Sequence, residues 1–294
     1  MMGPGEFFSL SCALAWAIAV VLFKKSGESL APFALNLFKN LLALPLFVAT
    51  LLVMGNFHWP DIPPGELPLI LLSGLLGIAA GDTLYFRALN AIGASRMAVA
   101  QTLYSPFVIA LSILFLGEHL RLLQFAGVAL VLSGILLVTY SRNGGGAERG
   151  SLLRGVGFAV FAMFLMAAGV VIAKPMLERY DFVWVVFLRI IGGTLGMLTL
   201  VAWRGSGRAL IERYRAVRHW PQILVGSLFG TYISMLLWLA GYKYTKASIA
   251  AVLNEFAAVF ILLLAVLFLR ERVSLRQAAG VLLAACGVFL VVLR

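Results

Sequence analysis

A chain of 294 residues that is 62% hydrophobic and only 12% charged has more apolar surface than a soluble fold of this size can bury. The net charge of +11 could suggest nucleic acid, but the Lys and Arg residues stand at the ends of apolar stretches, where they suit lipid headgroups. We therefore expect membrane lipids, and no nucleic acid, as the partners of these charges.

Ten apolar stretches, nearly free of charge, follow one another along the chain. Each is long enough to cross a hydrocarbon core about 30 Å thick, and backbone amides that lack water there must pair within a helix. The sequence predicts transmembrane helices at residues 6–25, 32–54, 67–90, 95–117, 120–140, 152–173, 181–203, 220–243, 247–269 and 274–293. The expected fold class is an all-α polytopic protein of the plasma (inner) membrane.

One helix–turn–helix sequence occurs twice. The stretch FLGEHLRLLQFAGVALVLSG (115–134) agrees with FLRERVSLRQAAGVLLAACG (268–287) at ten of twenty positions. The offset of 153 residues also pairs Ser95 with Ser248, while an offset of 150 pairs Lys39 with Arg189. The sequence thus predicts two repeats, residues 1–140 and 152–294, joined by the linker SRNGGGAERGS at residues 141–151.

Each predicted repeat contains five helices, and five is an odd number. Two copies with an odd number of crossings enter the membrane from opposite sides, so a pseudo-twofold axis in the membrane plane relates them. Inverted repeats of this kind are typical of secondary transporters that work by alternating access. Duplication without alternating access, as in a scaffold or a channel, is the alternative.

Several features together resemble the EamA-type members of the drug/metabolite transporter superfamily. They are Trp16 ahead of Lys24 and Lys25, a basic residue in helix 2, and the hairpin SPFVIALSILFLGEHLRLLQFAGVALVLSGILLV. The resemblance covers the whole chain twice, although Val259 stands in the second copy where Pro106 stands in the first. It implies ten helices around a central cavity, with helices 5 and 10 outside. Known members export amino acids and other metabolites or exchange sugar phosphates and nucleotide-sugars, and the resemblance does not select among them.

Two cations lie deep in predicted helices. Lys39 in helix 2 and Arg189 in helix 7 are both about 12 Å from a membrane face, at the 1.5 Å rise of a helix, and they start from opposite faces. A cation held at that depth is a natural partner for a substrate carboxylate or phosphate. Alternatively, Lys39 pairs with a local acid and Arg189 holds backbone carbonyls.

Asp82 in helix 3 and Glu255 in helix 9 are acids within predicted helices, and the repeat does not pair them with each other. Each could pair with a cation, receive a substrate ammonium group, or bind and release a proton. Proton coupling is therefore left open, and a structural salt bridge between Asp82 and Lys39 is the alternative.

We expect aromatic and amide side chains to lie around these charged residues. Asp82 and Tyr85 share one face of helix 3, and Trp238 and Tyr242 occupy the corresponding face of helix 8. The remaining candidates for the substrate site are Trp16 in helix 1, Gln101 and Tyr104 in helix 4, and Asn254 in helix 9. This mixture suits a small amphiphilic solute such as an amino acid with an apolar side chain, although such stripes also serve plain helix packing.

An enzyme is not expected. No histidine lies at membrane depth, no GxSxG motif occurs, and no carboxylate pair shares a helix face, so neither a catalytic site, a metal site nor a cofactor is predicted. Because the sequence contains no ATP-binding motif, a gradient must drive transport. The predicted function is a secondary exporter of amino acids or similar small metabolites. Multidrug or cation efflux, a lipid-linked-sugar flippase, and a receptor or scaffold are the alternatives; the oligomeric state is left open.

The membrane orientation is also open. Apart from Lys39 and Arg189, six Lys and Arg residues fall on the face that carries both termini and fifteen on the opposite face. The positive-inside rule places the termini outside, whereas members of the resembled family generally have cytoplasmic termini. The basic segment 204–220 is expected to lie as an amphipathic stretch on an anionic leaflet.

Overall fold

A computed structural model describes residues 3–27, 29–116, 122–139, 146–218, 220–244, 247–271 and 273–292. Helix covers most of the described part of each of the ten predicted stretches, and these described ranges contain no β-strand. Seven helices within them are long and apolar enough to cross a membrane, while helices 5, 9 and 10 contain shorter apolar helices. The chain is therefore a multi-pass, all-α membrane protein, and ten crossings stay a prediction.

The described helices that correspond to the ten predicted stretches are numbered α1 to α10 along the chain. In the first half, α1 is Pro4–Ser26 and α2 is Pro32–Val53. Next, α3 consists of the three consecutive segments Leu67–Gly74, Leu75–Gly81 and Asp82–Ile92. The half ends with α4 (Ala94–Gln101 and Tyr104–Leu116) and α5 (Leu122–Thr139). The second half contains α6 (Gly146–Arg179), α7 (Phe182–Trp203), α9 (Ala247–Leu269) and α10 (Leu275–Val292), with α8 consisting of Trp220–Ser227, Leu228–Ile233 and Ser234–Tyr244. A short helix between α7 and α8, Gly207–Arg215, is called the surface helix.

Local sequence accounts for several helix ends. Pro4 and Pro32 stand in the first turn of α1 and α2, where a missing backbone N–H costs no hydrogen bond. Asp181 caps α7, since its carboxylate accepts a hydrogen bond from Trp184 N at 3.1 Å. Gly93, with φ of 81°, allows the sharp turn between α3 and α4.

Two helices differ from their predicted bounds. α6 begins at Gly146, inside the predicted linker, and it continues to Arg179 rather than ending at residue 173. α4 is interrupted at Thr102 and Leu103, so Gln101 and Tyr104 do not lie on one continuous helix as predicted. Pro106 accounts for the interruption, because its ring removes the hydrogen bond to the Thr102 carbonyl and crowds that carbonyl.

Both halves contain a π-helical segment at the same place in the repeat. The segment in α3 begins at Leu75 and the segment in α8 at Leu228, which is the 153-residue offset of the sequence repeat. A π segment bonds each amide to the carbonyl five residues earlier, which widens the helix, and such segments are rare and frequently lie at functional sites. Hydrophobic periodicity does not reveal them, and the sequence predicted ordinary α-helix here.

Contacts between helices repeat under exchange of the two halves. α1 contacts α8 and α9 just as α6 contacts α3 and α4, and α2 contacts α8 just as α7 contacts α3. Three helices contact their own counterparts, in the pairs α2–α7, α4–α9 and α5–α10. This reciprocal pattern is what a twofold axis through the bundle produces, and it supports the predicted pseudo-symmetry.

Two glycines of the repeated hairpin sequence, Gly134 and Gly280, lie at the α5–α10 contact. A Cβ atom added to Gly134 in α5 would lie 2.7 Å from the carbonyl oxygen of Gly280 in α10. The missing side chain thus lets the two backbones approach closely. Glu118, at the tip of the first repeated hairpin, lies outside the described residues.

Candidate substrate site

Lys39 and Asp82 form a buried ion pair between α2 and α3. The Lys39 Nζ atom lies 2.6 Å from Asp82 Oδ2, and the two side chains are 7% and 16% exposed. Lys39 Nζ also donates to Asn40 Oδ1 at 3.1 Å and lies 6.0 Å from the ring centre of Phe86. The structure therefore contains the salt bridge between Lys39 and Asp82, which the sequence offered as the alternative to substrate binding by these residues.

A chain of hydrogen bonds extends from this pair into the π segment of α3. The Asn40 amide donates to Asn36 Oδ1 at 3.1 Å. Asn36 in turn donates to the Ile78 carbonyl at 2.8 Å and to Thr83 Oγ1 at 2.9 Å. Asn36 thus satisfies a backbone carbonyl within the widened helix, at the residues directly before Asp82.

This network is not predicted from the sequence. Asn36, Asn40 and Thr83 were not among the predicted site residues, although all three are buried. The signal was present in α2, where two asparagines stand within four residues of a buried lysine in an otherwise apolar helix. Buried amides need hydrogen-bond partners, so such a group is a good candidate for an interhelical network.

Arg189 approaches α3 from α7. A Cβ atom added to Gly77 would lie 3.5 Å from Arg189 Nη2, so the guanidinium group lies beside the π segment. Asp82 and Tyr104 are close enough to interact with Arg189 electrostatically. The Nε atom is buried and has no hydrogen-bond partner within the described part of the chain. The two predicted cations therefore converge on α3, where Lys39 has an ion-pair partner and Arg189 keeps an unbonded nitrogen.

Three other predicted residues meet at one point next to Asp82. Trp16 Nε1 in α1 and the Tyr85 hydroxyl in α3 both donate to Gln101 Oε1 in α4, at 3.4 and 3.2 Å. The rings of Trp16 and Tyr85 lie 5.9 Å apart. Tyr85 is fully buried and lies three residues, about one helical turn, beyond Asp82. This aromatic group thus provides a surface with both apolar and polar atoms beside the Lys39–Asp82 ion pair.

The predicted residues of the second half are only partly placed. The Trp238 ring packs 5.5 Å from Phe182 at the start of α7, about 10 Å along that helix from Arg189 at 1.5 Å per residue. Both side-chain polar atoms of Asn254 in α9 are buried without a hydrogen-bond partner among the described residues. The side chains of Tyr242 and Glu255 lie outside the described residues.

The groups that meet along α3 are a paired lysine and aspartate, an arginine with an unbonded nitrogen, and two hydrogen-bonding aromatic rings. These groups are candidates for contact with a polar solute. Among the described residues, no group of three His, Cys, Asp or Glu side chains could hold a metal ion.

Comparison with known proteins assigns the chain to a family. The model of the EamA-like transporter family matches residues 3–140 and again residues 153–293, which is nearly the whole chain in two copies. The chain belongs to the EamA-like transporter family. It is a transporter of the drug/metabolite superfamily, and the family implies a small-molecule substrate and a lipid environment.

Similar proteins support the same conclusion. A relative from Archaeoglobus fulgidus, named an uncharacterized transporter, is 23% identical over 287 residues, which cover 97% of this chain and 96% of the relative. The Bacillus subtilis uncharacterized transporter YdfC is 27% identical over 194 residues, 65% of this chain and 60% of YdfC. A solved crystal structure matches with a TM-score of 0.64 over 97% of this chain and 95% of its own, at 17% identity, which shows a shared fold.

Proposed function

We propose that this transporter is a secondary active exporter of amino acids or similar small metabolites that works by alternating access of two inverted halves. The observation that carries the proposal is Arg189, a buried cation whose Nε atom has no hydrogen-bond partner in the described structure. A buried, incompletely bonded guanidinium group is costly, and a substrate carboxylate supplies the missing charge and acceptors.

The charge balance of the site favours an anionic or zwitterionic substrate. Asp82 lies 2.6 Å from Lys39, so that pair is internally neutral. Arg189 interacts with Asp82 only at longer range, and its charge is left for a ligand. A lipophilic cation would instead have to compete with Lys39 for Asp82, which makes cation efflux the weaker candidate.

The aromatic group suits the rest of an amino acid. The Trp16 and Tyr85 rings offer apolar surface and π faces next to Asp82, where a substrate ammonium group and an apolar side chain find partners. A carboxylate on Arg189 and an ammonium group on these aromatic faces would orient a zwitterion across α3. If transport is coupled to protons, Asp82 is the candidate for the carboxylate that binds and releases them.

The test measures ligand binding to the purified protein by thermal unfolding. The panel contains amino acids, organic anions, sugar phosphates and lipophilic cations, for the wild type, Arg189→Gln and Arg189→Lys. Arg154→Gln, which removes an exposed arginine of α6, is the matched control. A ligand at 100 times its dissociation constant stabilises the folded state by about 2.7 kcal/mol. Efflux of the hit is then followed from liposomes at several pH gradients.

We expect an amino acid or a related anion to raise the melting temperature of the wild type and of Arg154→Gln but not of Arg189→Gln. Arg189→Lys keeps the charge without the bidentate fork, so it should bind more weakly than the wild type. A full shift in Arg189→Gln would show that the site assignment is wrong. Shifts from lipophilic cations alone would overturn the substrate class.

A further inference from the structure

The surface helix lies at the edge of the membrane-spanning bundle. It follows α7, whose last residue, Trp203, is 81% exposed, and it precedes α8, which begins at Trp220. Tryptophans at both junctions are typical of the boundary between hydrocarbon and headgroups. The surface helix is therefore positioned at headgroup level between the ends of two apolar helices.

One face of the surface helix is fastened to the bundle. Leu210 packs against the core, and the Tyr214 hydroxyl donates to the Ala34 carbonyl of α2 at 2.9 Å. The Tyr214 ring lies 6.1 Å from Phe38 and 6.3 Å from Trp220. Burial raises the pKa of Tyr214 to about 12, so its hydroxyl stays a neutral donor over the physiological range.

The opposite face is basic and exposed. Arg208, Ile211 and Arg215 stand at positions i, i+3 and i+7, which places them on one side of the helix, and all three are exposed. Five arginines and one glutamate occur between residues 204 and 218. That glutamate, Glu212, pairs with Arg208 at 3.2 Å in an exposed position, where an ion pair contributes little.

We propose that the surface helix binds the anionic phospholipid headgroups of the leaflet that surrounds it. In this arrangement Ile211 inserts at the acyl boundary, while Arg204, Arg208 and Arg215 contact headgroup phosphates. An apolar residue flanked by arginines on the free face of a helix is typical of interfacial helices, and the surplus of positive charge selects anionic lipid.

The surface helix also contacts α2, through Tyr214. Tyr214 binds the Ala34 carbonyl, and its ring packs on Phe38, the residue directly before Lys39. Lipid held on the outer face of the surface helix would therefore hold in place the helix that carries Lys39. The binding itself is independent of which substrate the transporter carries.

The experiment measures lipid binding to the full-length protein in a neutral detergent. Dioleoylphosphatidylglycerol or dioleoylphosphatidylcholine is titrated into the wild type and into the triple variant Arg204→Gln/Arg208→Gln/Arg215→Gln. The matched control, Arg154→Gln/Arg270→Gln/Arg276→Gln, removes three other exposed arginines predicted to lie on the same membrane face. Native mass spectrometry counts the bound lipid, and the melting temperature is measured in parallel. A third titration with inorganic phosphate tests whether a free anion has the same effect as the lipid.

We expect phosphatidylglycerol to bind the wild type and the control alike, to raise their melting temperatures, and to bind the surface-helix variant roughly a hundredfold more weakly. Phosphatidylcholine and inorganic phosphate should give no comparable shift. Equal phosphatidylglycerol binding by the surface-helix variant would overturn the proposal. An equal loss of lipid binding in the control variant would also overturn it, because the loss would then reflect general charge attraction. A full melting-temperature shift with inorganic phosphate alone would overturn it too.

Discussion

Lys39 and Asp82 join α2 to α3 through an ion pair of 2.6 Å between Nζ and Oδ2, and neither side chain is more than 16% exposed. The pair stands directly after the π segment Leu75–Gly81, whose carbonyls accept hydrogen bonds from Asn36. Charge pairing and backbone irregularity therefore coincide at one level of α3.

Removing one partner of this ion pair should destabilise the protein strongly. Lys39→Met leaves the Asp82 carboxylate without its counter-ion, and breaking a buried pair in this way costs about 3–5 kcal/mol. The free energy of unfolding, measured by titration with dodecyl sulfate in mixed micelles, should fall by that amount. The double variant Lys39→Met/Asp82→Leu should recover most of the loss, because no isolated charge is left. A double variant less stable than the single one would argue against charge compensation.

Glu271 should act as the N-terminal cap of α4. Its carboxylate accepts hydrogen bonds from Ala94 N at 2.9 Å, from Ser95 N at 3.0 Å and from Ser95 Oγ at 2.6 Å. These bonds satisfy amides that have no partner within the helix, and the negative charge suits the helix dipole. Glu271→Gln should lower the free energy of unfolding by about 1–2 kcal/mol.

A matched glutamate separates this cap from a general charge effect. Glu212 forms an exposed i,i+4 pair with Arg208, so Glu212→Gln should change the free energy of unfolding by less than about 0.5 kcal/mol. Similar losses for the two glutamine variants would contradict the cap.

Two glycines of α6 should respond oppositely to the same substitution. A Cβ atom on Gly169 would lie 2.6 Å from the Ser73 carbonyl oxygen and 3.0 Å from Gly77 N, and neither backbone can move easily. Gly169→Ala should therefore cost about 1–3 kcal/mol through forced separation of α6 and α3. Gly157 has no atom within 4 Å of its added Cβ, so Gly157→Ala should stabilise the helix by up to about 1 kcal/mol. Equal melting temperatures for the two variants would contradict the close contact.

The face that carries the surface helix should be cytoplasmic. Fifteen of the 23 Lys and Arg residues are predicted on that face, and the positive-inside rule then places both termini outside. In a Cys12→Ala/Cys286→Ala background, a membrane-impermeant maleimide should label His58→Cys in intact cells. It should label Ala209→Cys on the surface helix only after permeabilisation. The reverse pattern would place the termini in the cytoplasm.

The sequence carried enough information to predict where the helices run. Apolar stretches long enough to span a membrane must pair their amides internally, so their helical character follows from length and composition alone. The repeat was also visible, because Glu271 and Ser95 each have a counterpart at the same offset, in Glu118 and Ser248. That Glu271 and Ser95 meet across the two halves could not be read from the repeat, since they lie 176 residues apart.

The chain by itself determined a two-copy, all-helical membrane protein with Lys39, Asp82 and Arg189 at depth, because burying charge in an apolar helix is rare enough to be noticed. Only the tertiary structure decided that Lys39 pairs with Asp82 and that Arg189 keeps an unbonded nitrogen. It also decided that Asn36 supports a π segment. Helices that are apolar on every side carry no stripe to set their rotation and depth, so the partner of each polar side chain is chosen only when the helices pack.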